Sequence, residues 1–259
     1  MNTLASSTSA ASADGAPLID PRELRGEQPS EKFQRISTEG SDRATAYSST
    51  RRFIRRDGKL LVTWLDAPER EGEPARAMIG VCDPKTGKLE RSFQIGEGTD
   101  NHCVPTMVMD KDNRVHLIVG AHHGPFVYRW SDDPADPDAW SDPETLEGSR
   151  TYPALAVDSA GTLHLTWRDQ RGHEAGKGWT LRYQRKPDGE PWQAERVLAV
   201  SPEGGYTHWM QSLVVAPDGE TLDLMLQFHF SGAGSAAKAW GHAVARLRSS
   251  DGGATWMHA

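Results

Sequence analysis

The chain has 259 residues, enough for one large domain or two small ones with a proper hydrophobic core. Its 29 Lys and Arg against 36 Asp and Glu leave a formal charge of −7, which argues against nucleic acid or an anionic membrane as the main partner. Two cysteines, Cys82 and Cys103, exclude a disulfide framework, and no run approaches the ~20 apolar residues of a membrane span.

Residues 1–40 read as a flexible leader, because the first fifteen are rich in Ser and Ala and carry neither a basic stretch nor an apolar one. Beyond it the chain repeats itself. Arg55-Arg56-Asp57-Gly58-Lys59-Leu60, Asp110-Lys111-Asp112-Asn113-Arg114-Val115, Asp158-Ser159-Ala160-Gly161-Thr162-Leu163 and Ala216-Pro217-Asp218-Gly219-Glu220-Thr221 each place a polar turn before alternating apolar residues. The turn residues Gly58, Asn113, Gly161 and Gly219 are 55, 48 and 58 positions apart. Asp-Gly and Asp-Asn are hairpin signals because such turns need residues that tolerate positive φ. Val115, Leu117 and Val119, then Leu163, Leu165 and Trp167, show the period of two of a strand.

A second turn recurs later in each unit. Ser249-Ser250-Asp251-Gly252-Gly253-Ala254-Thr255-Trp256 fits the Asp-box pattern S-x-D-x-G-x-T-W, and Ser131 to Trp140, Lys186 to Trp192 and Asp83 to Gly87 are weaker forms. Such boxes are structural: the carboxylate takes turn N–H groups and the Trp packs between sheets. Units of about fifty residues with several short strands are β-propeller blades. The predicted fold is therefore all-β, a propeller of four-stranded antiparallel blades over 41–98, 99–149, 150–204 and 205–259. The fourth unit stops three residues after Trp256, so a fragment of a longer propeller is expected.

In a propeller, the start of the first strand and the end of the second converge near the axis on one face. That reading collects Tyr47, then Asn101, His102, His122 and His123, then Tyr152, Arg168 and Asp169, and finally Tyr206, His208 and His229, with Arg182 within reach. His, Tyr and Arg together suit acid–base chemistry on an anionic substrate. Strand alternation predicts that only one of His122 and His123 points inward, and that His116, His164 and His242 are structural or exposed. His102, Cys103, His122 and His123 are ligand types that zinc accepts, but at most two of them are predicted to converge.

Asp100-Asn101-His102-Cys103-Val104-Pro105 and Gly120-Ala121-His122-His123-Gly124-Pro125-Phe126-Val127-Tyr128-Arg129 resemble the second-blade signature of BNR-4 repeat propellers. Thr151-Tyr152-Pro153-Ala154, Leu165-Thr166-Trp167-Arg168-Asp169 and Thr180-Leu181-Arg182-Tyr183 resemble their third blade. The family includes seven-bladed polysaccharide lyases of the ulvan-lyase type. The resemblance implies β-elimination at a uronic acid in an acidic, possibly sulfated, polysaccharide or oligosaccharide. It implies His102 and His122 (or His123) in the site, Arg182 on the substrate carboxylate, and a tyrosine as acid or base. Trp167 stands where one subgroup carries that tyrosine, and Tyr206 is the alternative hydroxyl. Tyr47, Asn101, Tyr152, Trp167, Arg168, His208 and His229 are then substrate-binding residues. No cofactor is required, structural zinc or calcium being the metal alternatives, and the resemblance implies export. Two other classes compete. A glycan-binding propeller without catalysis would use Trp167, Trp179 and Trp209 as stacking platforms; a sialidase needs an arginine triad and an F-R-I-P-type entry motif that Phe53-Ile54-Arg55-Arg56 does not supply.

Overall fold

The computed structural model describes residues 34–47, 49–174, 178–201, 206–231 and 240–258, with the backbone alone at 206–209, 228–231, 240–242 and 258. The expected leader over 1–40 lies almost entirely outside these residues. The strands β1 (Phe53–Arg56), β2 (Lys59–Asp66), β3 (Ala75–Cys82) and β4 (Leu89–Gly98) form one antiparallel sheet in chain order. A seven-stranded sheet follows, built from β5 (Thr106–Met109), β6 (Val115–Val119), β7 (His122–Ser131), β8 (Glu144–Val157), β9 (Leu163–Asp169), β10 (Thr180–Lys186) and β11 (Arg196–Val200). It is two blades sharing one strand: Thr145 and Leu146 of β8 pair with Val127 and Phe126 of β7, whereas Arg150 to Val157 pair with β9. The fourth blade is β12 (Tyr206–Val215), β13 (Leu222–Ser231), β14 (Trp240–Ser249) and β15 (Met257–His258). These are the antiparallel blades of a β-propeller.

The hairpins form for the local reason the sequence gives. Arg56 pairs with Lys59 across Asp57 and Gly58, whose φ values of 48° and 72° are those of a type I′ turn. The next three turns are longer, and their left-handed residues are Asn113, Gly161 and Gly219. Asp110 steadies the second turn by accepting the Asp112 and Arg114 N–H groups, and Asp158 accepts the Thr162 N–H in the third.

Alternation along each inner strand then fills two interfaces at once. Val115, Leu117 and Val119 of β6 face Ile54, Leu61, Leu65 and Ile79 of the first blade. Ile118 faces the other way, toward Leu155, Leu163, Leu165 and Trp167 of the third blade. Ala154, Ala156 and Leu181 pack on Leu213, Leu224, Leu226 and Leu247 of the fourth. Burial on both faces of a blade explains why these strands read as nearly continuous apolar runs.

The Asp boxes clamp each blade to its predecessor. Asp251 accepts the Thr255 N–H and Thr255 hydroxyl, and the Ser249 hydroxyl takes the Gly253 N–H. These bonds, led by those from Thr255, hold the Asp251 carboxyl down at about 2. Trp256 meets the Tyr183 ring edge-on at 5.2 Å, and Trp192 meets Tyr128 the same way at 5.5 Å. Each of those tyrosines also holds a histidine. Tyr128 Oη lies 2.8 Å from His116 Nδ1, whose Nε2 reaches Asp110; Tyr183 Oη lies 2.8 Å from His164 Nδ1, whose Nε2 reaches Asp158. His116 and His164 are therefore buried structural residues, whereas the side chain of His242 lies outside the described residues.

Gly253 sets a sharp test of this clamp. Its φ is +78°, and a Cβ there would lie 1.8 Å from Tyr183 Oη. Gly253→Ala is expected to cost about 2–4 kcal/mol, from left-handed strain plus displacement of the tyrosine. Gly252 has a φ of +58° and open space around its Cβ position, so Gly252→Ala should cost only about 1–2 kcal/mol. Urea unfolding midpoints of the two variants separate strain from clash.

Candidate functional site

At the ends of the blades opposite the hairpin turns, five segments deliver aromatic and titratable side chains to one place. The turn before β1 supplies Tyr47, and the turn before β5 supplies Asp100 and His102. The start of β7 brings His122 and His123, β8 brings Tyr152, and the end of β9 with the residues leading into β10 brings Arg168 and Trp179. The rings form a continuous cluster, part stacked, part tilted and edge-on. Tyr47 and Tyr152 lie 4.4 Å apart, His102 and His122 3.9 Å, His122 and His123 4.4 Å, and His123 and Trp179 5.1 Å between centroids. The fully buried Arg168 guanidinium sits between the faces of Tyr152 and Trp179, at 4.5 and 4.7 Å.

Three of these residues, Tyr47, His123 and Tyr152, have left-handed backbone, with φ of 73°, 61° and 59°. For residues with a Cβ this conformation costs roughly 1–2 kcal/mol each, and such strain gathers at functional sites. It also corrects the alternation argument. Left-handed backbone at His123 and the register shift between His122 and Gly124 break the period of two, so both histidine rings enter the cluster.

Asp100 organises the histidines. Its Oδ1 accepts the His102 backbone N–H at 2.8 Å and the His102 Nδ1–H at 3.0 Å, while Oδ2 accepts the His122 Nδ1–H at 2.5 Å. Burial opposes ionisation of Asp100, but the His102 N–H and His122 outweigh it and hold the carboxyl below the usual range. A carboxylate only accepts, so both imidazoles carry a proton on Nδ1 and turn Nε2 outward, as a lone pair at His102. At His102 that lone pair is met by Nη1 of Arg43, which also donates to Tyr47 Oη at 2.9 Å. Burial, reinforced by His122, pushes His102 below its ordinary value; burial and Arg168 bring His123 to about 4. Burial also raises the Tyr47 phenol, outweighing its hydrogen bonds with Tyr152 and Arg43. The set is a pair of imidazoles sharing one carboxylate, beside a protonated phenol and a guanidinium.

The remaining sequence-predicted residues divide into three groups. Asn101 stands beside the cluster and donates to Asp42 at 2.7 Å. Trp167 and Arg182 are not part of it. Trp167 is fully buried against the second blade, under Arg150 at 4.0 Å, and its indole N–H donates to Asp169. It therefore offers no face to a sugar. Thr63-Trp64-Leu65-Asp66 of the first blade repeats the same arrangement, with Trp64 donating to Asp66, so the Thr-Trp-x-Asp pattern is a packing device. Arg182 donates to Glu195 at 2.6 Å and lies 3.7 Å from Asp169, in an ion-pair cluster with Arg171. The side chains of Tyr206, His208, Trp209 and His229 lie outside the described residues. Two residues enter that sequence reasoning gave no role. Asp100 had a signal, standing two positions before His102 in the quoted motif; Arg43 had none.

Among the described residues, Asp100, His102 and His122 are a group with three ligand atoms within 4.8 Å of one another. Zinc accepts these donors. Cys103 is not among these ligand atoms; its buried thiol lies 3.5 Å from Thr99 Oγ1 and donates to Asp100 Oδ1 at 3.8 Å. The present arrangement fits a metal poorly, because the Nδ1 atoms share one carboxylate through protons and the Arg43 cation occupies His102 Nε2.

No curated protein matches the chain. Among solved structures, a polysaccharide lyase of family PL25, an ulvan lyase bound to -[GlcA(1-4)Rha3S]-, superposes with a TM-score of 0.60 at 18% identity, covering 81% of this chain and 53% of its own. The polysaccharide lyase Uly1 gives 0.56 at 14% identity, covering 92% and 60%. An α-L-arabinanase of Penicillium chrysogenum with arabinobiose gives 0.55 at 17% identity, covering 80% and 65%. The chain thus spans about half the length of that ulvan lyase. These likenesses concern the fold. The profile of BNR repeat-containing proteins matches residues 82–259, more than half of the sequence, and the chain belongs to that BNR repeat-containing family.

Proposed function

We propose that this protein acts on an acidic polysaccharide or oligosaccharide and cleaves it at a uronic acid by β-elimination. The observation that carries this reading is the Asp100-bridged pair of histidines beside the protonated Tyr47. Nε2 of His122 removes the proton at C5 of the uronate. The electron pair forms the C4–C5 double bond as the C4–O4 bond breaks, and the Tyr47 hydroxyl delivers its proton to the departing O4. One product ends in an unsaturated uronate, the other in a free hydroxyl. Proton return from His122 to Tyr47 through solvent resets the site. No cofactor takes part in these steps.

The likeness to ulvan lyases supports the acidic-glycan part of the reading. The arabinanase likeness raises hydrolysis as the second reading. Glycoside hydrolysis calls for two carboxyl groups with separate roles. Asp100 is tied to both imidazoles and Asp42 to Asn101, which favours elimination. Of the three tryptophans that a lectin-like role would use, Trp167 is buried, Trp179 packs on Arg168 and His123, and the Trp209 side chain lies outside the described residues. A polymeric substrate places the encounter outside the cell. The test is incubation with a glucuronate-containing polysaccharide, followed by ultraviolet absorbance of the unsaturated product. Rising absorbance is the expected result; release of saturated sugars alone, or no release, overturns the lyase reading.

A further inference from the structure

Elimination next to a carboxylate needs a cation on that carboxylate, and the arginine that the sequence offers for it, Arg182, is engaged by Glu195 and Asp169. Arg168 is fully buried between Tyr152 and Trp179. Arg52 is buried as well and is turned toward the Ala46 carbonyl. Arg43 differs from all three. It is partly exposed, it makes no salt bridge among the described residues, and its side-chain hydrogen bonds run from Nη1, to Tyr47 and His102. The rest of its guanidinium edge, Nε and Nη2, is the pair of parallel N–H groups that a carboxylate takes in bidentate fashion.

Its position is fixed by a chain of hydrogen bonds rather than by an acidic partner. The carboxylate of Asp100 accepts from His102 Nδ1, which leaves Nε2 as an acceptor for Arg43 Nη1. Asn101 donates to Asp42 and so ties the turn carrying Arg43 to the turn carrying His102. The arginine is thereby aimed without a salt bridge among the described residues; the nearby acid Asp42 accepts from Asn101 instead, which leaves the guanidinium edge available to a ligand anion. The two oxygens of Asp100 serve different ends: Oδ2 orients His122, and Oδ1 acts through His102 on Arg43.

We propose that Arg43 is the residue that recognises the substrate carboxylate, with His102 as its positioning residue. This rests on the acidic-glycan reading but not on elimination. The experiment compares binding of the probe oligosaccharide -[GlcA(1-4)Rha3S]- with its carboxyl-reduced counterpart by titration calorimetry, in parallel with the ultraviolet assay. The unsubstituted protein is expected to prefer the acidic probe by about 10- to 100-fold, the range of one charge-assisted contact. Arg43→Gln should bring the two affinities together, and Arg43→Lys should keep part of the preference. Since residue 43 lies on a partly exposed turn, both variants should unfold at the parental temperature. Preference retained in Arg43→Gln, or absent from the unsubstituted protein, overturns the proposal. Lost preference in Arg43→Gln supports it whether or not unsaturated product forms, and product formation alone judges the lyase reading.

Discussion

Asp100→Asn is expected to lower the rate of uronate elimination by about 10²–10⁴-fold with the fold retained. The substitution preserves shape and removes one acceptor. In the native site both carboxylate oxygens accept from imidazole Nδ1–H groups, 3.0 Å away at His102 and 2.5 Å at His122. An amide presents one oxygen and one NH2, so one imidazole must face a donor. If that ring is His122, its proton moves to Nε2 and the base is lost. If it is His102, an Nε2–H confronts the Arg43 Nη1–H and the guanidinium is pushed away. The two faults separate kinetically. His122→Ala should remove kcat, because it deletes the base. His102→Ala should chiefly raise KM for the acidic substrate, because it releases Arg43. Initial ultraviolet rates over a range of substrate concentrations check both, with thermal unfolding as the control. Parental kcat in both Asp100→Asn and His122→Ala would refute the assigned base.

His164→Ala is expected to be the most destabilising of the substitutions considered, by about 3–5 kcal/mol in denaturant unfolding. The ring is fully buried and bonded at both nitrogens, to Asp158 Oδ2 at 3.1 Å and Tyr183 Oη at 2.8 Å. Its removal leaves a cavity, a buried carboxylate oxygen and a buried phenol at once. Leu61 and Leu222 occupy the same place after the hairpin turns of the first and fourth blades, where Arg55 and Ala216 replace the aspartate. His164→Leu alone therefore strands Asp158, whereas adding Asp158→Ala should recover at least about 1 kcal/mol relative to additivity. Acid should weaken the same layer. His116 is held below its ordinary 6.5 mainly by burial, so the unfolded chain takes up a proton there first and stability falls as pH drops through that value. Asp110 and Asp158 are held below their ordinary 3.8 because their histidine and backbone hydrogen bonds outweigh burial. Their contribution is complete above 3.8 and is lost as pH falls through the lower folded values. A rise in stability between pH 6.5 and 4 would contradict this account.

Much of the architecture was legible because it is local chemistry. Asp57-Gly58, Asn113, Gly161 and Gly219 adopt the positive φ that their residue types favour, and the Asp box at Ser249–Trp256 closes through bonds within eight residues. The period of two correctly grouped Leu163, Leu165 and Trp167 on one face. It could not say which neighbour that face meets, so Trp167 was assigned to sugar binding while the structure buries it. The same rule failed at His123, where a left-handed residue turns the chain and brings adjacent rings together.

What the sequence determined by itself is the blade: its hairpins, its alternation, its Asp boxes, and the end of each strand at which His, Tyr and Arg collect. Only the tertiary structure decided how those groups are wired. Asp100 bridges His102 and His122, 22 positions away, and Arg43 reaches His102 across 59. Arg182 is withdrawn by Glu195, a residue of the loop before β11. Turn and strand preferences depend on a few neighbouring dihedrals and survive in any context. A hydrogen bond between blades depends on where rigid sheets pack, which the buried residues set collectively and no local pattern records.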